Sequence, residues 1–360
     1  MRAIGFHTTV LAFLVLGLLM AGCTSTPPAQ NITKTTPGNV TNVTVPTNGT
    51  IPVNETNVTM IISQQQNQTV QQQQNYTNPA PPVESKAINY TFEPNDTLAI
   101  YFIYVGDQTD QGDAILIKKG DLNVLVDAGP VQNGGTVVDF LRTLDVSNVA
   151  VMLSTNEDPM HYGGISAVAA AFPIQEFWWS GETFKDPTYA ALGPSMAGMV
   201  KTVRNVSRGF NMSLNGIEFT VLNPGPVPFY DPNNDAVVLR IQDRGFCAVL
   251  LSGTQFGAQN ELLNDEGGQL DCDVMQAPYY GLGPGTSGIA NFLKTTNPQL
   301  MVISGGPNES GGSRDPFRAL LDEDNINYIE NYANGGATVQ VEYDGQSCSY
   351  GYLGGASQPC

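Results

Sequence analysis

From Leu98 onward, short apolar runs alternate with clusters of Gly, Asn and Asp. LAIYFIYV (98–105), AILIKKG (114–120) and LNVLVDAG (122–129) are rich in β-branched and aromatic residues and predict strands, with a turn at Lys119-Gly120-Asp121. VVDFLRTL (137–144) has helical spacing, VAVMLST (149–155) is a continuous apolar run of the buried-strand kind, and GISAVAAAF (164–172) predicts a helix after a glycine pair. Strands follow at 216–224, 236–243, 245–253 and 272–278, then a helix over 289–294, a strand at 300–305 and a helix near 317–321. A final hairpin turning at Asn334-Gly335-Gly336 completes the order. Strands followed by helices, twice over, are most simply packed as two sheets between helices, an α+β architecture.

Upstream of this region the pattern is different. Arg2, an apolar run from Val10 to Met20, and the small pair Ala21-Gly22 have the parts of a signal peptide, residues 1–22. Leu19-Met20-Ala21-Gly22-Cys23 resembles the lipobox of bacterial and archaeal lipoproteins, with Met20 where Leu is usual. That resemblance implies lipidation of Cys23, a membrane partner through the lipid, and an extracellular location. An uncleaved signal anchor is the other reading of the run, although it is short against the ~20 residues of a membrane span. Residues 23–85 contain few large aliphatic side chains, a Gln-rich tract and repeated Asn, Thr and Pro, too little apolar surface to offset the entropy of ordering. They are expected to form a disordered stalk, leaving 86–360 as the folded domain. Sequons cluster at Asn31, Asn39, Asn42, Asn48, Asn54, Asn57, Asn67, Asn75, Asn89 and Asn95, against later ones at Asn205, Asn211 and Asn308. In an exported segment these are glycosylation candidates. Lipobox and sequons together hint at an archaeal surface.

Charge narrows the partners. The domain holds 13 of the 15 basic and 31 of the 33 acidic residues and therefore the whole net charge of -18. Nucleic acid would meet repulsion where a binder would release counterions, so it is not the expected ligand. Cys247, Cys272, Cys348 and Cys360 are an even set in a compartment where disulfides persist. Of the three possible pairings, Cys247 with Cys272 and Cys348 with Cys360 are favoured, free buried thiols being the alternative.

The blocks IYFIYVGDQTDQGDAILIKKGDLNVLVDAGP, VVDFLRTLDVSNVAVMLST and HYGGISAVAAAF resemble the metallo-β-lactamase superfamily, and most of all its ComEC-type competence-protein branch. NNDAVVLRIQDRGFCAVLLSG, CDVMQAPYYG and NYANGGATVQVEYDG follow that branch in the same order, so the resemblance covers roughly 97–345. It implies a four-layer αββα sandwich with its site at the sheet ends. It also implies zinc or another divalent metal, which would activate water for hydrolysis if the ligands were present.

The ligand positions are largely vacated. His-x-His-x-Asp-His, expected in STNEDPMHYGG (154–164), falls on Asn156, Asp158, Met160 and His161, and only the last matches. A Met thioether is a poor ligand for hard divalent ions and cannot act as a base. The expected Thr-Gly-Asp reads Ser252-Gly253-Thr254, and the expected His pair reads Tyr279-Tyr280. The other histidine, His7, lies in the signal peptide. Glu157, Asp158 and His161, helped by Asp127 or Asp113, are the remaining set for a weak site, with Asp158 and His161 as its core. The structural alternatives are that Asp127 accepts backbone hydrogen bonds beside the pocket and that the His161 ring satisfies a backbone partner.

No G-x-S-x-G elbow, P-loop or dinucleotide glycine pattern offers other chemistry. Tyr279, Tyr280 and Trp178-Trp179 either pack the domain or line a pocket able to stack on a sugar. The expectation is a non-catalytic recognition or structural module with no cofactor and an unidentified extracellular ligand, its former pocket filled or reshaped by Met160, Thr254, Tyr279 and Tyr280. A hydrolase of phosphodiesters or nucleic acid with an atypical metal is the competing reading; the third is that the stalk and its glycans matter most, the domain being a stable cap in a surface coat.

Overall fold

A computed structural model of the chain describes residues 96–106, 111–282, 286–306 and 314–360, all within the second of its two units, Asn78–Cys360. The expected signal peptide, Cys23, the expected stalk and the sequons from Asn31 to Asn95 lie outside the described residues, as does Asn308.

The chain runs β1 (Leu98–Phe102), β2 (Ile115–Lys119), β3 (Leu122–Val126), α1 (Gly134–Thr143), β4 (Val149–Leu153), α2 (Pro159–Tyr162), α3 (Ile165–Ala171), β5 (Ile174–Trp179), α4 (Pro187–Ala197) and β6 (Thr202–Asn205). It continues through β7 (Asn211–Leu214), β8 (Ile217–Asn223), β9 (Val238–Asp243), β10 (Phe246–Leu250), α5 (Phe256–Glu266), β11 (Val274–Gln276), α6 (Thr286–Thr296), β12 (Leu300–Ile303) and α7 (Asp315–Glu323). The last strands are β13 (Asn327–Glu330), β14 (Val339–Tyr343), β15 (Cys348–Tyr352) and β16 (Gln358–Pro359). Among the described residues, one sheet has the order β16-β15-β14-β1-β2-β3-β4-β5-β6 and the other β13-β12-β11-β10-β9-β8-β7.

Strand alternation sorts the apolar residues into three layers. Ile100, Phe102, Ile117, Val124, Phe219, Ile241 and Val302 meet between the sheets. Tyr101, Leu116, Leu125 and Met152 point outward from the first sheet to Leu141, Val168 and Leu192 of its helices. Val249, Met275 and Met301 point outward from the second to Leu262, Phe292 and Leu321. The architecture is therefore the four-layer αββα sandwich expected from the resemblance.

Two expectations change. Asn334-Gly335-Gly336 forms a short 3-10 turn that carries the chain from β13 in one sheet to β14 in the other. The chain's last hairpins instead join β14 to β15, where Asp344 accepts the N–H groups of Gln346 and Ser347, and β15 to β16. Trp178 and Trp179 are both buried and cannot stack on a sugar. Trp178 packs edge-on to Phe210 and Phe219 between the sheets, and Trp179 lies against Tyr189 of α4. The cysteines pair as favoured, Cys247 with Cys272 and Cys348 with Cys360, at Cα separations of 5.0 and 5.3 Å.

Candidate functional site

The segment 154–164 turns sharply after β4 because of its caps and glycines. Asp158 accepts the N–H of Met160 at 2.9 Å with Pro159 at the first helical position, which starts α2. Gly163 and Gly164 then let this turn press onto the loop after β3, since a Cβ on Gly164 would lie 2.1 Å from the Ala128 carbonyl oxygen. Ala128 N–H donates to the His161 carbonyl, and Gly164 N–H to that of Gly129, both at 2.9 Å. Those contacts seat the His161 ring over Asp127.

The ring lies in a continuous buried polar loop. His161 Nδ1 stands 2.8 Å from Asp127 Oδ2. Asp127 also accepts the Thr155 N–H at 2.8 Å and the Thr155 hydroxyl at 2.5 Å. With its single proton given to Asp127, Thr155 Oγ1 takes the proton of Ser252 Oγ, 2.7 Å away. Ser252 N–H donates to Gln276 Oε1 at 3.0 Å, Gln276 Nε2 to Ser304 Oγ at 3.2 Å, and Ser304 Oγ to Asp113 Oδ1. Asp113 Oδ2 returns to within 3.6 Å of His161 Nδ1. On its other side the ring meets the Tyr280 hydroxyl. Asp113, Asp127, Thr155 and His161 belong to the first sheet and its loops, and Ser252, Gln276, Tyr280 and Ser304 to the second, so the loop laces the sheet ends together.

Electrostatics follow from this burial. Burial opposes a charge on His161, but Asp127, hydrogen-bonded to it, and Asp113 beside it together push its pKa up to about 9. Burial raises Asp113 to about 6 against the lowering effects of His161 and the Ser304 hydroxyl. Burial, reinforced by the nearby Asp113, holds Tyr280 well above the usual phenol value, so it stays neutral. The backbone is strained at the same place: Asp127, Ser252, Tyr279 and Tyr280 have φ of 58°, 51°, 46° and 58°. Such conformations cost about 1–3 kcal/mol each and persist where surrounding contacts fix them. Here Tyr279 N–H donates to the Ser252 carbonyl, and Arg314 Nε to the Tyr280 carbonyl, both at 2.8 Å.

The positions of the expected metal motif thus have separate occupations. Asn156 donates to Asn233 Oδ1 at 3.1 Å and accepts the Asp158 N–H at 2.6 Å. Glu157 turns away and accepts the N–H groups of Phe184, Lys185 and Asp186. Met160 is half-buried, and its carbonyl accepts from Asp113 N–H at 3.2 Å. Thr254 does not reach the site: its hydroxyl donates to the Leu251 carbonyl at 2.8 Å within its own turn. Tyr279 is half-buried at the rim, and Tyr280 is the tyrosine that enters. His161 finds two side-chain partners rather than a backbone one, and Asp127 holds a hydroxyl and a ring as well as a backbone N–H.

These residues do not fit a divalent metal. Among the described residues no group of three or more His, Cys, Asp and Glu side chains is placed to hold one. The ring that would coordinate is held toward its cationic form, with both nitrogens committed to protein partners, whereas a metal needs a neutral imidazole with a free lone pair.

No protein-family model matches the chain. It is similar to the competence protein ComA of Neisseria gonorrhoeae, 23% identical over 197 residues that make up 54% of this chain and 26% of that protein. The chain thus spans about a quarter of that relative's length. Among solved structures it is similar to the metallo-β-lactamase fold protein YhfI from Bacillus subtilis, with a TM-score of 0.47, 12% identity, and coverage of 68% of this chain and 99% of that one. It is also similar to a metallo-β-lactamase with an HARLDQ motif from Cronobacter sakazakii, with a TM-score of 0.36, 13% identity, and coverage of 67% and 93%. At these identities the likeness to the solved structures is one of fold.

Proposed function

We propose that the chain is a lipid-anchored extracellular protein whose metallo-β-lactamase-like domain serves as a non-catalytic recognition or structural module. The observation that supports this reading is the buried loop through His161, Asp127, Thr155, Ser252, Gln276, Ser304 and Asp113, with Tyr280 against the ring. Its members hydrogen-bond to one another across the two sheets where a hydrolase would need open ligands and a water. Anchoring rests on the Leu-Met-Ala-Gly-Cys23 sequence, and display at a distance on the polar stalk. With a net charge of -18, the partner it recognises is not nucleic acid.

Metal analysis of the purified protein after dialysis tests the reading, together with ester and phosphodiester reporter substrates. The expected result is less than a tenth of an equivalent of zinc, manganese or iron and no turnover. About one equivalent of metal, with cleavage lost on Asp158→Ala and His161→Ala, would establish the atypical hydrolase instead. Anchoring is tested separately, because Cys23→Ser should move the protein from the detergent phase to the aqueous phase.

A further inference from the structure

We infer that Asn205 and Asn211 are N-glycosylated and that their glycans cover the adjoining edges of the two sheets, edges that no further strand pairs among the described residues. The inference rests on the extracellular reading above. Asn205-Val206-Ser207 and Asn211-Met212-Ser213 are sequons inside the folded domain, and each Asn and each Ser is exposed. Asn205 is the last residue of β6, the edge of one sheet, and Asn211 the first of β7, the edge of the other. Residues 206–210 join them, a connection that reaches no more than about 20 Å, so both acceptors lie on one flank of the sandwich.

That connection is firmly held. Val206 is buried between the sheets, and its N–H donates to the Trp179 carbonyl at 2.8 Å. Arg208 pairs with Glu261 at 2.7 Å and Asp265 at 2.6 Å. The acceptors are therefore presented at fixed places on the flank. Gly181, at φ 80°, leaves room beside Asn205, where a Cβ would come within 2.6 Å of its Nδ2. Asn211 Nδ2 donates to Thr220 Oγ1 at 2.9 Å, and it keeps one N–H for that bond after substitution.

The edges explain why sugar here would matter. An unpaired strand edge recruits other chains unless proline, charge or a cover blocks it. β16 ends in Pro359 beside the Cys348–Cys360 bridge, and β13 carries Glu330, bound by Arg318 at 2.6 Å. β6 carries Arg204, paired with Glu176 at 2.7 Å, whereas β7, Asn-Met-Ser-Leu, has neither charge nor proline and is the edge for which a cover matters most. The modification itself is a transfer without redox change from a lipid-linked sugar diphosphate, made by a separate transferase. Nδ2 of Asn bonds to the anomeric carbon as the anomeric C–O bond to phosphate breaks. The lipid diphosphate leaves, and Nδ2 gives up one proton.

Mass spectrometry of peptides from the full chain, purified from its native membranes, tests this. Cleavage after Arg208 separates the two sequons. Sugar-bearing forms of both peptides are expected, with loss of the Asn205 form in Ser207→Ala and of the Asn211 form in Ser213→Ala. The double variant should shift to larger species by light scattering. Sugar on the stalk peptides with 205 and 211 bare would overturn the inference alone. No sugar anywhere, with Cys23 unlipidated, would overturn it together with the extracellular reading. A double variant that stays as monodisperse as the parent would overturn the edge-covering role.

Discussion

The Tyr280 hydroxyl and His161 Nε2, 119 residues apart in sequence, stand 2.8 Å apart and are both buried. One comes from each sheet, so the contact closes the sandwich where the two sheets' ends meet. Tyr280→Phe keeps the ring stacked on His161, at 5.5 Å between centroids, and removes only the hydroxyl. The buried Nε2 is then left without its partner, which costs about 1–3 kcal/mol. The denaturant midpoint should fall with an unchanged slope and unchanged circular dichroism. An unaltered midpoint would show that the contact does not hold the ends together.

The same cluster gives stability a pH dependence with a definite sign. His161 rises from 6.5 to about 9 on folding, so its contribution is fully present below about 6.5 and is lost as pH rises through about 9. Asp113 rises from 3.8 to about 6, so its neutral form is favoured by folding and that contribution is lost as pH rises through about 6. Both slopes point the same way, on the order of 3 kcal/mol each at most. Urea midpoints of the parent should fall between pH 7 and 9 more steeply than those of His161→Gln. Parallel curves would mean that the ring is not charged in the folded state.

At the opposite end of the sandwich, Lys119 on β2 meets Asp243 on β9 at 2.9 Å, with both side chains almost fully buried. Asp243 has a second cation in Arg244, also at 2.9 Å. Asp243→Leu therefore strands Lys119, at a cost of about 3–5 kcal/mol, whereas Lys119→Met leaves Asp243 still paired and costs less. The double variant should recover much of the Asp243→Leu loss. Additive single effects in this cycle would show that the pair is not coupled.

The fold was legible in the sequence because its strands are continuous apolar runs, and their order alone implied two sheets between helices. β6, β7, β15 and β16 escaped notice because each is a short strand of two to five residues that offers no continuous apolar run. At the site, the motif positions located the right loops but not the partners. Thr155, Ser252, Gln276 and Ser304 are common polar residues, and no spacing connects them. What they share is position, each standing at or just past the end of a buried strand: VMLST, VLLS, VMQ and VIS. Sequence order cannot show that four such ends from two sheets converge. Tyr280 stood at a position where histidine was expected, but its left-handed backbone and its reach to the His161 ring are tertiary facts.

Glu157 sits between two motif positions, and its charge is used to hold a loop. Its carboxylate gathers the successive N–H groups of Phe184, Lys185 and Asp186. Asp186 in turn caps α4 by accepting Thr188 N–H at 2.8 Å and binds the Tyr162 hydroxyl of α2. The start of α4 is thereby fixed to the turn that carries His161. Glu157→Gln offers one uncharged acceptor oxygen to three donors, and hydrogen bonds to a charged group are worth about 1.5–3 kcal/mol. Amide exchange across 182–188 should accelerate about 10- to 100-fold by local opening, since each 1.4 kcal/mol is tenfold, while β9 and β10 keep their protection. Exchange that quickens equally in both sheets would mean that Glu157 supports the whole domain, and unchanged exchange would mean that the loop is held by other contacts.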